Sequence, residues 1–77
     1  MKSISGFIQV SADTYDGFKW LSIHSIVSWL YDSSAGRAYF ELIDGREYSV
    51  KADSQDEVIE HLRNAASRIT FSAEGYL

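Results

Sequence analysis

The chain has no cysteine and no proline, only five glycines, and no apolar run approaching the length of a membrane span. Each shortage excludes something. Without Cys there is no disulfide and no thiol chemistry, and two histidines, His24 and His61, are too few for an obvious structural zinc set. Without Pro, the turns must be marked by Gly, Asp and Ser. The glycines stand alone and fit neither G-x-G-x-x-G nor the Walker pattern, so no phosphate-cradling loop is present. Basic residues are also few: seven Lys and Arg against eleven Asp and Glu give a net charge of −4. The seven are scattered, whereas a phosphate backbone requires them clustered, so direct nucleic-acid binding is not expected. The opening MKSISGFIQV has neither a long apolar stretch nor a small-residue cleavage site and does not read as a signal peptide. The expectation is a cytoplasmic protein without membrane insertion.

What is present is a globular composition on a short chain. Seventy-seven residues with 45% apolar, 14% aromatic and 23% charged side chains describe one folded domain, not a disordered tail. A chain of this length buries only about 60–65% of its unfolded surface. With no disulfide or metal to staple it, it must rely on packing alone or complete its core against another chain.

The pattern predicts an α+β fold: a curled antiparallel β-meander of about four strands over 5–51, small and barrel-like, a helix over 54–68 packed across it, and a tail over 69–77. Gly6–Ser11 reads as a first strand and Ala12–Gly17 as a turn. From Phe18 to Tyr31 aromatic and β-branched residues continue with little interruption, and Asp32–Gly36 forms the next turn. Then Tyr39–Ile43, Asp44-Gly45 and Arg46–Val50 spell a β-hairpin. A two-residue loop would mix apolar and charged residues on both faces. A three-residue loop with Gly45 left-handed sets Leu42 opposite Arg46, Phe40 opposite Tyr48 and Ala38 opposite Val50, collecting the apolar side chains on one face. Its cost is Glu41 opposite Glu47, a pair that belongs in solvent. Ser54-Gln55-Asp56-Glu57 is a capping box. Val58, Ile59, Leu62, Ala65, Ala66 and Ile69 follow at helical spacing, with Asp56, Glu60, Arg63, Asn64 and Ser67 on the other side. Ile69–Ser72 fits a short closing strand or an arm.

The search for chemistry is mostly negative. No Ser-His-carboxylate set is legible around His24 or His61, and a lone His in a strand is more often packed than catalytic. Asp13-Thr14-Tyr15-Asp16-Gly17 lacks the acidic spacing and closing Glu of a calcium loop. Asp53, Asp56, Glu57 and Glu60 cluster, but capping and solvation account for them. No catalytic residue, cofactor or metal is therefore assigned. The feature that remains is aromatic. In Ile26–Tyr31, alternation turns Ile26 and Leu30 one way and Val27, Trp29 and Tyr31 the other, so both faces are apolar and one helix can cover only one. Either the sheet curls to swallow both, or an aromatic patch is exposed for protein contact. Trp29, Tyr31 and Tyr39 are the candidate anchors, for a protein partner or for a second copy of the chain.

The segments Ile8–Val10, Trp20–Val27, Phe40–Val50 and Asp56–Leu62 together resemble the small FlbD/SwrD-type flagellar proteins over roughly residues 7–62. The resemblance implies a compact β-rich domain closed by one helix, no catalytic residues, and a supporting role at the flagellar motor. The Asp13–Lys19 connection is longer than in that pattern, and Ile69–Leu77 is an addition to it.

The reading is of a small non-catalytic protein-binding module acting through an aromatic sheet face. An alternative belongs to another class: a small acidic phage-type inhibitor of host nucleic-acid machinery, such as an anti-CRISPR or polymerase inhibitor. It would present Asp56 and Glu60, with Asp53 and Glu57, where a phosphate backbone would lie. A third is a small-ligand binder formed between subunits.

Overall fold

The computed structural model describes residues 1–12 and 17–74, with side chains as far as residue 66. It is an α+β fold of six strands in two three-stranded antiparallel sheets with one helix. β1 (Ser3–Ile4), β2 (Phe7–Ser11) and β3 (Phe18–Ser22) form the first sheet in that order. β4 (Ile26–Asp32), β5 (Arg37–Leu42) and β6 (Glu47–Lys51) form the second, and α1 spans Gln55–Glu74.

The single meander of about four strands is therefore corrected in three places. A short β1 precedes the first predicted strand, joined to it by a tight turn in which Gly6 takes φ 86°, a dihedral that glycine adopts without steric cost. The β-rich run from Phe18 to Tyr31 is cut by a 3₁₀ turn at Ile23–Ser25. Ser22 caps that turn, its hydroxyl accepting from the His24 amide at 3.3 Å, and the chain crosses from one sheet to the other. The predicted tail is helical through Glu74, so Ile69–Ser72 is neither a strand nor an arm.

The hairpin has the register expected of it. Ala38 pairs with Val50, Phe40 with Tyr48 and Glu41 with Glu47. Gly45 has φ 87°, its amide donates to the Leu42 carbonyl at 2.9 Å, and the Leu42 amide donates to Arg46 at 2.8 Å. The helix cap is nearly as expected: the Glu57 amide donates to Ser54 Oγ at 3.1 Å. The Glu57 carboxylate reaches one residue further back than a capping box requires, accepting from the Asp53 amide at 2.7 Å.

The core lies between the two sheets and the helix. Ile8, Val10 and Leu21 contribute from the first sheet, Ala38, Phe40, Leu42, Tyr48 and Val50 from the second, and Val58 and Ala65 from α1. The helix is tied to the β1–β2 hairpin by two polar links: the Gly6 amide donates to the Ala65 carbonyl at 2.7 Å, and Ser3 Oγ lies 2.8 Å from His61 Nδ1. Among the described residues no buried side-chain nitrogen or oxygen lacks a hydrogen-bond partner.

Candidate functional site

Alternation along β4 is broken by a register shift between Ile26 and Ser28. One extra residue reverses every side chain beyond it, so Ile26, Trp29 and Tyr31 all pack against the core while Val27 and Leu30 face outward. This corrects the division expected from strict alternation, which set Ile26 with Leu30 and Val27 with Trp29.

Trp29 is half-buried and stacks on Phe40, with ring centroids 6.4 Å apart and planes at 29°. Tyr31 is half-buried, and its hydroxyl donates to the Ala52 carbonyl at 3.0 Å. Tyr39 lies on the outer side of the second sheet, opposite Leu30 on one side and Ser49 on the other. The three candidate anchors are thus not one patch. Two brace the interior from β4 and one stands outside.

The exposed aromatic surface is on the first sheet. β1 pairs Ile4 with Phe7, and β2 pairs Phe7, Gln9 and Ser11 with Ser22, Trp20 and Phe18. These residues share the side of the sheet turned away from the core, because Ile8, Val10 and Leu21 occupy the other. Ile4 is 52% exposed, Phe7 41%, Phe18 63% and Trp20 42%. Four large apolar side chains therefore cross three adjacent strands, interrupted only by Gln9, Ser11 and Ser22. Reading strand by strand, the sequence signals one apolar face for β2 and two for β4. The pairing of Phe7 with β3 is what gathers Phe7, Phe18 and Trp20, and no local pattern encodes it.

Polar groups are engaged structurally. Lys19, on the inner side of β3, donates to the Tyr48 hydroxyl at 3.1 Å, and its ammonium lies 4.4 Å from the centre of that ring. Arg37 spends its donors on two serines, with Nε and Nη2 reaching Ser49 Oγ at 3.2 and 3.0 Å and Nη2 reaching Ser11 Oγ at 3.1 Å. Arg37 borders a cleft of about 620 Å³ whose walls also include Met1, Phe18, Lys51 and Glu57. Asp32 closes the β4–β5 turn. Its carboxylate accepts from the Ser34 hydroxyl at 2.6 Å and from the Ser34 and Ala35 amides, and these bonds, the hydroxyl first, hold its pKa below the usual aspartate range.

On α1, Asp56 and Glu60 are exposed and one turn apart. Glu57 does not join them: it is half-buried, accepts from Asp53 and lies 3.8 Å from the Met1 amine. His24 is exposed, and His61 faces Ser3. Among the described residues no group of three His, Asp or Glu side chains converges to hold a metal, and no helix is long and apolar enough to cross a membrane. Residues 13–16, within the segment weighed against a calcium loop, lie outside the described residues.

Compared with known proteins, the chain matches no family model, no curated protein and no solved structure.

Proposed function

We propose that this protein is a non-catalytic binding module that contacts another protein through the outer face of its first sheet. The observation that carries the reading is the apolar stripe Ile4–Phe7–Trp20–Phe18. Aromatic side chains present roughly 150–250 Å² each, so exposures near one half leave an apolar face of roughly 400 Å². A patch of that size on a small protein is of the scale that marks a contact surface. Trp and other aromatics are the residues that anchor such contacts. Trp29 and Tyr31 fix the second sheet against the core in this reading, and Tyr39 lies on a separate outer surface with Leu30. The FlbD/SwrD-type resemblance is in keeping with a module that works by contact, at an assembly such as the flagellar motor.

The test replaces Phe7 with Ser and compares the proteins that the tagged wild type and the variant retain from cells. Phe7 is chosen because it lies at the centre of the stripe and outside the buried core. Phe7→Ser should stay folded at the assay temperature, with a melting temperature lowered by its lost packing. It should lose a specific retained partner at least tenfold, whereas a core variant of equal melting temperature should retain it. If everything retained by the wild type is retained equally by the variant, the reading is wrong.

A second reading rests on Asp56 and Glu60, whose carboxylates are exposed on one face of α1 beside the exposed Asp53. A nucleic-acid mimic would use this edge, reduced to three carboxylates by the engagement of Glu57. Its grip on a partner would fall steeply between about 50 and 500 mM salt as screening shortens the reach of the charges. An aromatic contact would hold through the same range.

A further inference from the structure

The ladder between β2 and β3 leaves a defined set of backbone groups unused. Its phase is fixed at both ends: the Ile23 amide donates to the Gly6 carbonyl at 3.0 Å, and the Ala12 amide donates to the Gly17 carbonyl at 2.9 Å. Antiparallel pairs alternate between hydrogen-bonded and non-bonded. With Phe7 opposite Ser22 and Ser11 opposite Phe18, the bonded pairs between those ends are Ile8–Leu21 and Val10–Lys19. The N–H and C=O groups of Phe18, Trp20 and Ser22 therefore point away from β2. The sheet order β1-β2-β3 places no strand beyond β3. The Ser22 carbonyl is taken by the first bond of the 3₁₀ turn, while the Ser22 amide and both backbone groups of Phe18 and Trp20 have no backbone partner among the described residues.

We propose that this edge is completed by the same strand of a second copy of the chain, antiparallel about a two-fold axis at Trp20. The inference rests on reading the outer face of the first sheet as a contact surface, and it names the occupant. In that arrangement Trp20 meets the partner's Trp20, Phe18 meets the partner's Ser22, and Lys19 meets the partner's Leu21. The two Trp20 residues exchange a pair of hydrogen bonds and each Ser22 amide donates to the partner's Phe18 carbonyl, for about four inter-strand hydrogen bonds. No like charges come directly opposite, and the two Trp20 rings become cross-strand neighbours on the outer face.

The strand lacks most devices that keep sheet edges apart. It has no proline and pairs with β2 without a bulge, whereas β4, at an edge of the other sheet, is bulged between Ile26 and Ser28. Its one charge, Lys19, points inward and is already held by the hydroxyl and ring of Tyr48, so strand addition strands no unpaired ammonium. The contact is limited in size. Five strand residues and two aromatic rings per copy fall short of the roughly 800 Å² per partner of a tight complex, so the dimer is weak and forms by mass action.

Two measurements on the full chain test this. In sedimentation velocity from about 5 μM to about 1 mM, the apparent mass should move from 8.7 kDa toward twice that value. In residue-resolved hydrogen exchange over the same range, the Trp20 and Ser22 amides should gain about tenfold protection with concentration, while Lys19 and Leu21 stay protected throughout. Trp20→Pro removes an outward N–H that the β2 ladder does not use and should be monomeric at every concentration. If that variant does not fold, Trp20→Ser should weaken the dimer, and exchange on the wild type still decides. A wild type that stays monomeric to about 1 mM, or a dimer whose Trp20 and Ser22 amides remain unprotected, overturns the proposal. A monomeric wild type whose partner is lost on Phe7→Ser overturns this inference alone. The predicted dimer, with partner retention indifferent to Phe7→Ser, overturns only the reading of the face as the site for another protein.

Discussion

The Tyr31 hydroxyl donates to the Ala52 carbonyl at 3.0 Å, linking β4 to the residue that leads out of β6 toward the helix. Ala52 is buried, and its amide donates to the Gly36 carbonyl at 3.0 Å as a continuation of the β5–β6 ladder beyond Arg37–Lys51, so both polar groups of that residue are satisfied. A carbonyl in that position cannot be left unpaired without cost, because burial removes the water that would otherwise serve it. Tyr31→Phe deletes only the donor. It should destabilise by about 1 kcal/mol, seen as a fall in melting temperature of roughly 4–8 °C for a domain this size. An unchanged melting temperature would show that water reaches Ala52.

Trp29 and Phe18 test which aromatics hold the fold. Trp29 stacks on fully buried Phe40, whereas Phe18 is mostly exposed. Full truncation of a buried Trp or Phe costs about 3–5 kcal/mol, and Trp29, partly exposed, should lose about 2–3 on replacement by Ala. Phe18→Ser should cost less than about 1 kcal/mol. Denaturant titration of both variants checks the order. The reverse order would place Trp29 at the surface.

Gly45 separates backbone strain from steric conflict. It has φ 87°, and a Cβ added there meets nothing within 4 Å. Gly45→Ala should therefore lose about 1–2 kcal/mol through the left-handed conformation alone. Gly45→Asn should recover part of that, since Asn tolerates the region. Equal losses for Ala and Asn would contradict a purely conformational origin.

Asp32 gives a pH dependence with a definite sign. Its folded pKa is lowered, first by the Ser34 hydroxyl and then by the Ala35 amide. The stabilisation is thus present above the unfolded aspartate value, near pH 4, and disappears as pH falls through the lower folded value. Between pH 7 and pH 2 the wild type should lose more of its melting temperature than Asp32→Asn, and the two curves should converge at the acid end. Parallel curves would mean that the turn does not depend on the charge.

How much of this was legible in the sequence depended on the range of the forces involved. The β5–β6 register could be derived on paper because a three-residue loop with a left-handed glycine and the facing pairs Phe40–Tyr48 and Ala38–Val50 lie within a dozen residues of each other. The start of α1 was legible for the same reason: Ser54 and Glu57 satisfy the first amides locally. Its end was not. Ile69, Thr70 and Phe71 have strand-forming side chains, yet the backbone continues as helix to Glu74.

Composition and local pattern by themselves determined the α+β class, the hairpin, the capped helix and the lack of disulfide or thiol chemistry, since each follows from residue type or from contacts a few positions apart. The tertiary structure alone decided the division into two sheets and the surface that the protein presents. The 3₁₀ turn at Ile23–Ser25 sends a continuous β-rich run into different sheets, and the one-residue shift beyond Ile26 turns Trp29 and Tyr31 inward. Phe7, Phe18 and Trp20 become one exposed stripe only when β2 and β3 pair. Facing in a sheet has a period of two residues, so a single inserted residue or a single pairing choice exchanges core for surface. That choice is settled by how the two sheets bury each other, which no short stretch of the chain contains.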